Sequence, residues 1–232
     1  MSNFRAQLME EEPVTGSATS SAQSPAEKSF YKLAGKRIFD IVVSLILLPA
    51  LLLVMAVIWI AIRRDGGAAS FSQQRVGRNG KTFQCYKFRS MVHNAERVLD
   101  EMCANNPEIA FEWNTNQKLR NDPRITKVGA FIRKTSLDEL PQIFNVLRGD
   151  MSLVGPRPFM ASQKEIYDAQ GGKAYYSLRP GVTGLWQIVS RNDTTFEARA
   201  RFDESYAKTL SLRGDISLIL RTAGVVIVHT GE

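Results

Sequence analysis

At 232 residues with 44% apolar side chains, the chain holds one full domain with short appendages rather than several domains. Its 30 Lys and Arg against 23 Asp and Glu leave a net charge of +7, which admits phosphorylated substrates or an anionic membrane surface as partners. Nucleic acid is set aside because no recognition motif accompanies the charge. A zinc or disulfide framework is set aside because Cys85 and Cys103 have no ligand-like spacing and His93 and His229 are far apart, which fits a reducing, cytosolic environment.

In chain order, residues 1–30 are rich in Ser, Ala, Glu and Pro without apolar period, and are expected to form a disordered tail. They lack the build of a secretory signal. Residues 31–64 contain the uncharged run Ile41 to Ile62, IVVSLILLPALLLVMAVIWIAI, long enough for a membrane span by the criterion of about 20 residues. Pro49 near its middle predicts a bend, and cations stand on both flanks: Lys32, Lys36 and Arg37 before it, Arg63 and Arg64 after it. Cations on both sides and the proline set a re-entrant helical hairpin beside a simple span as an equal alternative.

Residues 65–232 are expected to form the cytosolic domain. Its first part, ASFSQQRVGRNGKTFQCYKFRSM, predicts a β-hairpin turning at Asn79-Gly80. Arg75, Lys87 and Arg89 make it basic, either as a solvated face or as an attraction for lipid headgroups or a lipid phosphate. An amphipathic helix is predicted from Val92 to about Ala104, then a turn at Asn121-Asp122-Pro123-Arg124, then a helix carrying Ile125, Val128, Phe131 and Ile132.

The stretch Arg133 to Pro158, RKTSLDELPQIFNVLRGDMSLVGPRP, is the expected reaction centre. Leu137, Leu140, Ile143, Phe144 and Leu147 follow helix periodicity and Gly149 supplies the stop, so Asp138 and Glu139 fall in a first turn. Ser136 and Glu139 spell a capping box, but Pro141 has no N–H, and a start at Asp138 serves equally well. In either register the helix dipole is expected to favour an ionised Asp138, as a nucleophile or metal ligand requires. Arg133 before the pair and the stiff Pro156-Arg157-Pro158 turn after it add fixed guanidinium groups. Acids beside fixed cations suggest phosphate chemistry, usually with Mg2+.

Farther on, RPGVTGLWQIVSRND contains Arg179, Gln187 and Arg191, and its glycines imply close backbone approach to a ligand or another segment. Trp186 suits either the core or stacking on a base or sugar. Phe196 to Lys208 reads as a polar helix with Asp203, and Asp215 to Val228 as an interfacial amphipathic helix or a buried core helix. The fold class is therefore α/β, mainly helical with a small antiparallel sheet.

The words SLDELPQ, N-x-L-x-GDMSLVGPRP, RPGVTGLWQ and YKFRSM resemble the bacterial sugar transferase family, the small monotopic phosphoglycosyl transferases, from about Tyr31 to the C-terminus. The resemblance implies monotopic membrane insertion at the cytoplasmic face of the bacterial inner membrane. It also implies transfer of hexose-1-phosphate from a UDP-hexose, such as UDP-galactose or UDP-glucose, to undecaprenyl phosphate, with release of UMP. By the resemblance Asp138 would carry the phosphosugar covalently, Asp138 and Glu139 would hold Mg2+, and Arg133, Arg157 and Arg191 would clamp phosphate. Asp203 and Asp215 would be second-tier positions, with Arg75, Lys87, Arg89, Arg179 and Gln187. Two departures stand out: Leu48 where the family usually has a small polar residue before the proline, and Ser190 where it often has glycine before the arginine. An exposed apolar face beside the hairpin would suit a homodimer. The rival reading is a non-catalytic polybasic membrane adaptor that recruits anionic lipids or partner proteins.

Overall fold

A computed structural model describes residues 30–64, 66–116, 119–189, 196 and 198–227. The expected tail, apart from Phe30, and Arg191 lie outside the described residues. After one wide turn at Tyr31–Gly35 comes helix α1, Lys36–Arg63. At 1.5 Å per residue it is about 42 Å long, and its length and composition suffice to cross a membrane. Pro49 lies inside α1 and the helix continues through it. The expected hairpin is thus not two arms joined by a loop; any change of direction is taken up within helical residues, at the cost of one hydrogen bond.

One face of α1 packs on the domain toward both ends and only partly at its middle. Asp40, Ser44, Met55, Ile58 and Ile62 are buried, with Val43, Leu48 and Leu51 packed beside them. The opposite face leaves Ile38, Val42, Leu45, Ile46, Leu53, Val57 and Ile60 exposed. Both ends are also tied to the domain. Near the start, Arg37 donates to the carbonyls of Val146 and Leu147, while the buried Asp40 accepts from the Ser152 hydroxyl and the Leu153 amide. At the other end, Arg89 donates to the carbonyls of Ile62 and Gly66.

The predicted hairpin forms as β1 (Ser70–Val76) and β2 (Thr82–Phe88), antiparallel with Ser70 opposite Phe88. Helices α2 (Ala95–Asn105) and α3 (Pro107–Asn116) follow. Helix α2 starts later than the periodicity suggested, because the Val92 amide bonds the Arg124 carbonyl instead. Helix α4 (Lys127–Lys134) is capped by Thr126, whose hydroxyl accepts from the Gly129 amide at 2.9 Å.

Beyond α5 (Gln142–Arg148), strand β3 (Ser152–Val154) pairs in parallel with β4 (Gly181–Thr183). The domain thus has two small sheets, where only an antiparallel one was expected. The parallel pair exists because glycines let the backbones meet: a Cβ on Gly181 would lie 2.1 Å from the Gly155 nitrogen. The close approach implied by Arg179-Pro180-Gly181 is therefore to another segment of the chain.

Short helices α6 (Lys164–Ala169), α7 (Ala174–Ser177) and α8 (Leu185–Val189) precede α9 (Arg199–Thr209) and α10 (Leu212–Ile227). Helix α10 has one buried face and one exposed apolar face, with Asp215 and Leu218 buried and Ile216 and Leu220 exposed. Asp215 accepts from Tyr31, Lys36 and Tyr206, joining α9 and α10 to the start of α1. Asp203 accepts from Tyr167 beside a second, aromatic core of Phe159, Tyr167 and Tyr175. Burial pushes Asp203 up to about 7 against the lowering pull of Tyr167 and Arg199. Both acids, expected as second-tier site residues, are placed in internal networks.

Candidate active site

The carboxylate pair stands in a tight turn rather than in a regular helix. Pro141 cannot donate a backbone bond, so the chain closes i to i+3: Glu139 N to Ser136 O, Leu140 N to Leu137 O, Ile143 N to Leu140 O. Leu137–Glu139 is a 3-10 turn and α5 begins only at Gln142. Ser136 adopts the left-handed conformation (φ 57°) and its side chain caps nothing, so the expected capping box is absent.

The turn projects both acids at β2. Lys87 Nζ lies 2.8 Å from Glu139 Oε1 and 3.7 Å from Asp138 Oδ2. Arg157 Nη2 reaches the same Glu139 oxygen at 3.4 Å. Arg75 on β1 joins them around a small recess lined also by Cys85, Gln142, Pro158 and Gly181. Three cations thus surround one glutamate, an arrangement suited to a substrate carrying more negative charge than the acids cancel. Arg75 donates to the neutral Gln73 amide at 2.5 Å, and burial, with Arg157 nearby, lowers its pKa.

The electrostatics of Asp138 correct the sequence reading. Its carboxylate is 14% exposed, and burial raises its pKa, with Glu139 adding to the rise and Lys87, Arg133 and Arg157 opposing it. Desolvation outweighs any benefit from the helix start. An acid held this way is a better nucleophile once ionised, because water does not shield it.

The Pro156-Arg157-Pro158 turn is pinned from both sides. The Gly181 amide donates to the Pro156 carbonyl at 2.8 Å, the Val76 amide donates to the Phe159 carbonyl, and Arg199 donates to the Arg157 carbonyl. Arg199 lies between rings, 5.0 Å from the Trp186 centroid and 4.8 Å from that of Phe196. Burial lowers its pKa to about 10. Trp186 therefore stacks on an arginine of the chain itself.

Of the other expected site residues, Arg133 acts on Asp138 through its charge. Arg179 is used structurally, donating to the Gly149 carbonyl at 2.9 Å, and Arg89 is the clamp on the end of α1. Gln187 lines an apolar groove beside Glu139, its amide buried and without a hydrogen-bond partner.

Sequence reasoning quoted Asn145 at the head of N-x-L-x-GDMSLVGPRP but gave it no role. Fully buried on α5, it accepts from the Tyr86 amide at 3.0 Å and donates to the Gln84 carbonyl at 2.8 Å. It thereby holds β2, and so Lys87, in place against the acids. Asn145→Leu is expected to strand both backbone groups at about 1–3 kcal/mol each, lowering the denaturant midpoint of the detergent-solubilised protein. Its polar character inside the apolar stripe of α5 was the available signal.

A metal can be considered on this donor set. Among the described residues no group of three His, Cys, Asp or Glu gathers to hold an ion. Asp138 and Glu139 do converge on one ammonium, so they fit Mg2+ of the kind that takes one or two carboxylates and completes its shell with substrate phosphates.

A half-buried carboxylate pair among three cations, in a domain that carries a long apolar helix, suits the class of membrane-associated proteins that handle phosphorylated substrates. The bacterial sugar transferase family matches residues 31–229, and the chain belongs to that family. It is 52% identical over 196 residues to the undecaprenyl-phosphate galactose phosphotransferase of Salmonella typhimurium, covering 84% of this chain and 41% of that protein. It is 42% identical over 225 residues to the exopolysaccharide production protein ExoY of Sinorhizobium fredii, covering 94% of this chain and 98% of that one. A UDP-glucose:undecaprenyl-phosphate glucose-1-phosphate transferase of Klebsiella pneumoniae is 39% identical, covering 81% of this chain and 39% of that protein. The chain thus spans about two fifths of the longer relatives and nearly all of ExoY.

Proposed function

We propose that this chain transfers hexose-1-phosphate from a UDP-hexose to undecaprenyl phosphate, the first step in assembling an exopolysaccharide repeat unit. The observation that carries the reading is the convergence of Asp138 and Glu139 with Lys87 and Arg157. The names of its relatives, with galactose and glucose as sugars, agree with it.

An oxygen of Asp138 attacks the phosphorus that bears the sugar. The bond from that phosphorus to the bridging oxygen breaks, and UMP leaves with the electron pair. An oxygen of undecaprenyl phosphate then attacks the same phosphorus, the bond to Asp138 breaks, and the carboxylate returns as the lipid diphosphate sugar departs. Arg75, Lys87 and Arg157 hold the phosphate oxygens, and Glu139 keeps two of those cations aimed at the reacting centre. Bound at Asp138 and Glu139, Mg2+ would supply neutralisation of diphosphate charge.

The membrane arrangement follows from α1. Its two ends are held by one domain, which supports a reading in which the apolar face enters a single leaflet with both ends on the cytoplasmic side. This reading is monotopic, with Pro49 at the deepest point and the exposed apolar face of α10 alongside. The test is direct: purified protein given UDP-galactose or UDP-glucose, undecaprenyl phosphate and Mg2+ is expected to release UMP and form the lipid-linked sugar. Consumption of neither donor would overturn the assignment.

A further inference from the structure

Beyond the three-cation recess, Glu139 and Arg157 also close the end of a second cavity of different character, about 260 Å³ in volume. Its walls are Leu140 and Ile143 on one side and Val182 and Ile188 on the other, and it extends to Leu47 and Leu51 of α1. Two of its hydroxyls are spent: Thr183 and Thr222 bond each other at 2.6 Å, and Thr222 also donates to the Leu218 carbonyl. Among the described lining residues, the polar group without a partner is the buried Gln187 amide.

We propose that this groove holds the isoprenoid chain of the lipid acceptor next to its phosphate. The inference rests on the transferase reading and adds where the lipid binds. Apart from the Gln187 amide, its mainly aliphatic walls offer little to a uridine or a hexose, both of which need several hydrogen-bond partners. They suit a hydrocarbon, and the groove joins the apolar helix, where such a chain resides, to the guanidinium of Arg157, where its phosphate is needed. Once UMP has left, the acceptor phosphate takes up the vacated cations while its chain stays in the groove.

A second apolar recess supplies the control. Lined by Leu52, Met55, Trp59 and Phe144, it reaches Lys87 but neither acid. Leu47 and Leu52 are similarly exposed on α1, at 43% and 46%.

The experiment compares wild type, Leu47→Trp, Leu47→Ala and Leu52→Trp in two assays: the UMP burst with donor alone, and steady-state transfer to undecaprenyl phosphate. Leu47→Trp is expected to keep a stoichiometric burst, which also shows an intact site, while its KM for the lipid rises at least about tenfold. Leu47→Ala, which cannot clash, is expected to raise the same KM less, and Leu52→Trp to change neither assay. An unchanged lipid KM in both Leu47 variants overturns the proposal, as does an equal rise in Leu52→Trp. A wild type that turns over without a burst would overturn the covalent step alone, and lipid KM would still decide the groove.

Discussion

Asp138→Asn is expected to abolish UMP release, with or without lipid acceptor, while the protein stays folded. The amide keeps the shape of the carboxylate but cannot form the acyl phosphate, and loss of an attacking group costs about 10⁴-fold or more in other covalent enzymes. Folding should survive because Lys87 keeps its 2.8 Å contact with Glu139 when the 3.7 Å contact to residue 138 is weakened. Removing a buried acid whose ionised form is disfavoured also lifts a strain on the fold. The decisive measurement is retention of radiolabelled sugar phosphate on the protein when acceptor is withheld: present in wild type, absent in Asp138→Asn. A variant with unaltered melting temperature and more than about a tenth of wild-type UMP release would end the nucleophile assignment. Arg157→Lys separates geometry from charge, because lysine keeps the cation but loses the paired donors.

The candidate site was partly legible because several of its charged groups stand in contiguous residues. Asp138, Glu139 and Arg157 stand within one run, and the basic residues of β1 and β2 announced an anion nearby. Distance in sequence hid the rest. Nothing in local spacing says that Lys87, 52 residues upstream of Glu139, makes the shortest ion pair of the site, because that contact depends on Asn145 bonding β2 across the core. Arg199 was equally hidden: it reads as one charge in a polar helix, yet it holds the Arg157 carbonyl and meets Trp186. The ionisation of Asp138 was misjudged for a related reason. A helix start can be read from sequence and burial cannot, and burial was the larger effect. Pro141 was recognised as an obstacle to a regular helix, but its outcome, a 3-10 turn preceded by a left-handed serine, depends on the tertiary setting. Arg89 and Asp215 follow the same pattern: charged residues expected near the site whose partners lie at the two ends of α1.

Lys87→Met tests the electrostatic half of the site through its pH dependence. In the proposed mechanism, activity needs the ionised form of Asp138. Burial and Glu139 raise its pKa and Lys87 opposes them most strongly, ahead of Arg133 and Arg157. The wild-type rate is therefore expected to fall on the acid side above the ordinary carboxylate value of about 3.9. Without the ammonium, that limb moves further toward neutral pH. The stability consequence has a fixed sign. An acid whose folded pKa exceeds its unfolded one binds its proton more tightly when folded, so stability declines as pH rises from the ordinary value through the raised one. Lys87→Met extends that decline upward, and adding Asp138→Asn should remove the extension. In rate, a contact to a charged group is worth about 1.5–3 kcal/mol, so the variant should lose roughly tenfold to a hundredfold at neutral pH. Whatever part of that loss comes from protonation of Asp138 should return as the pH rises. A loss constant across the pH range would mean that Lys87 serves the substrate phosphates alone and leaves Asp138 untouched.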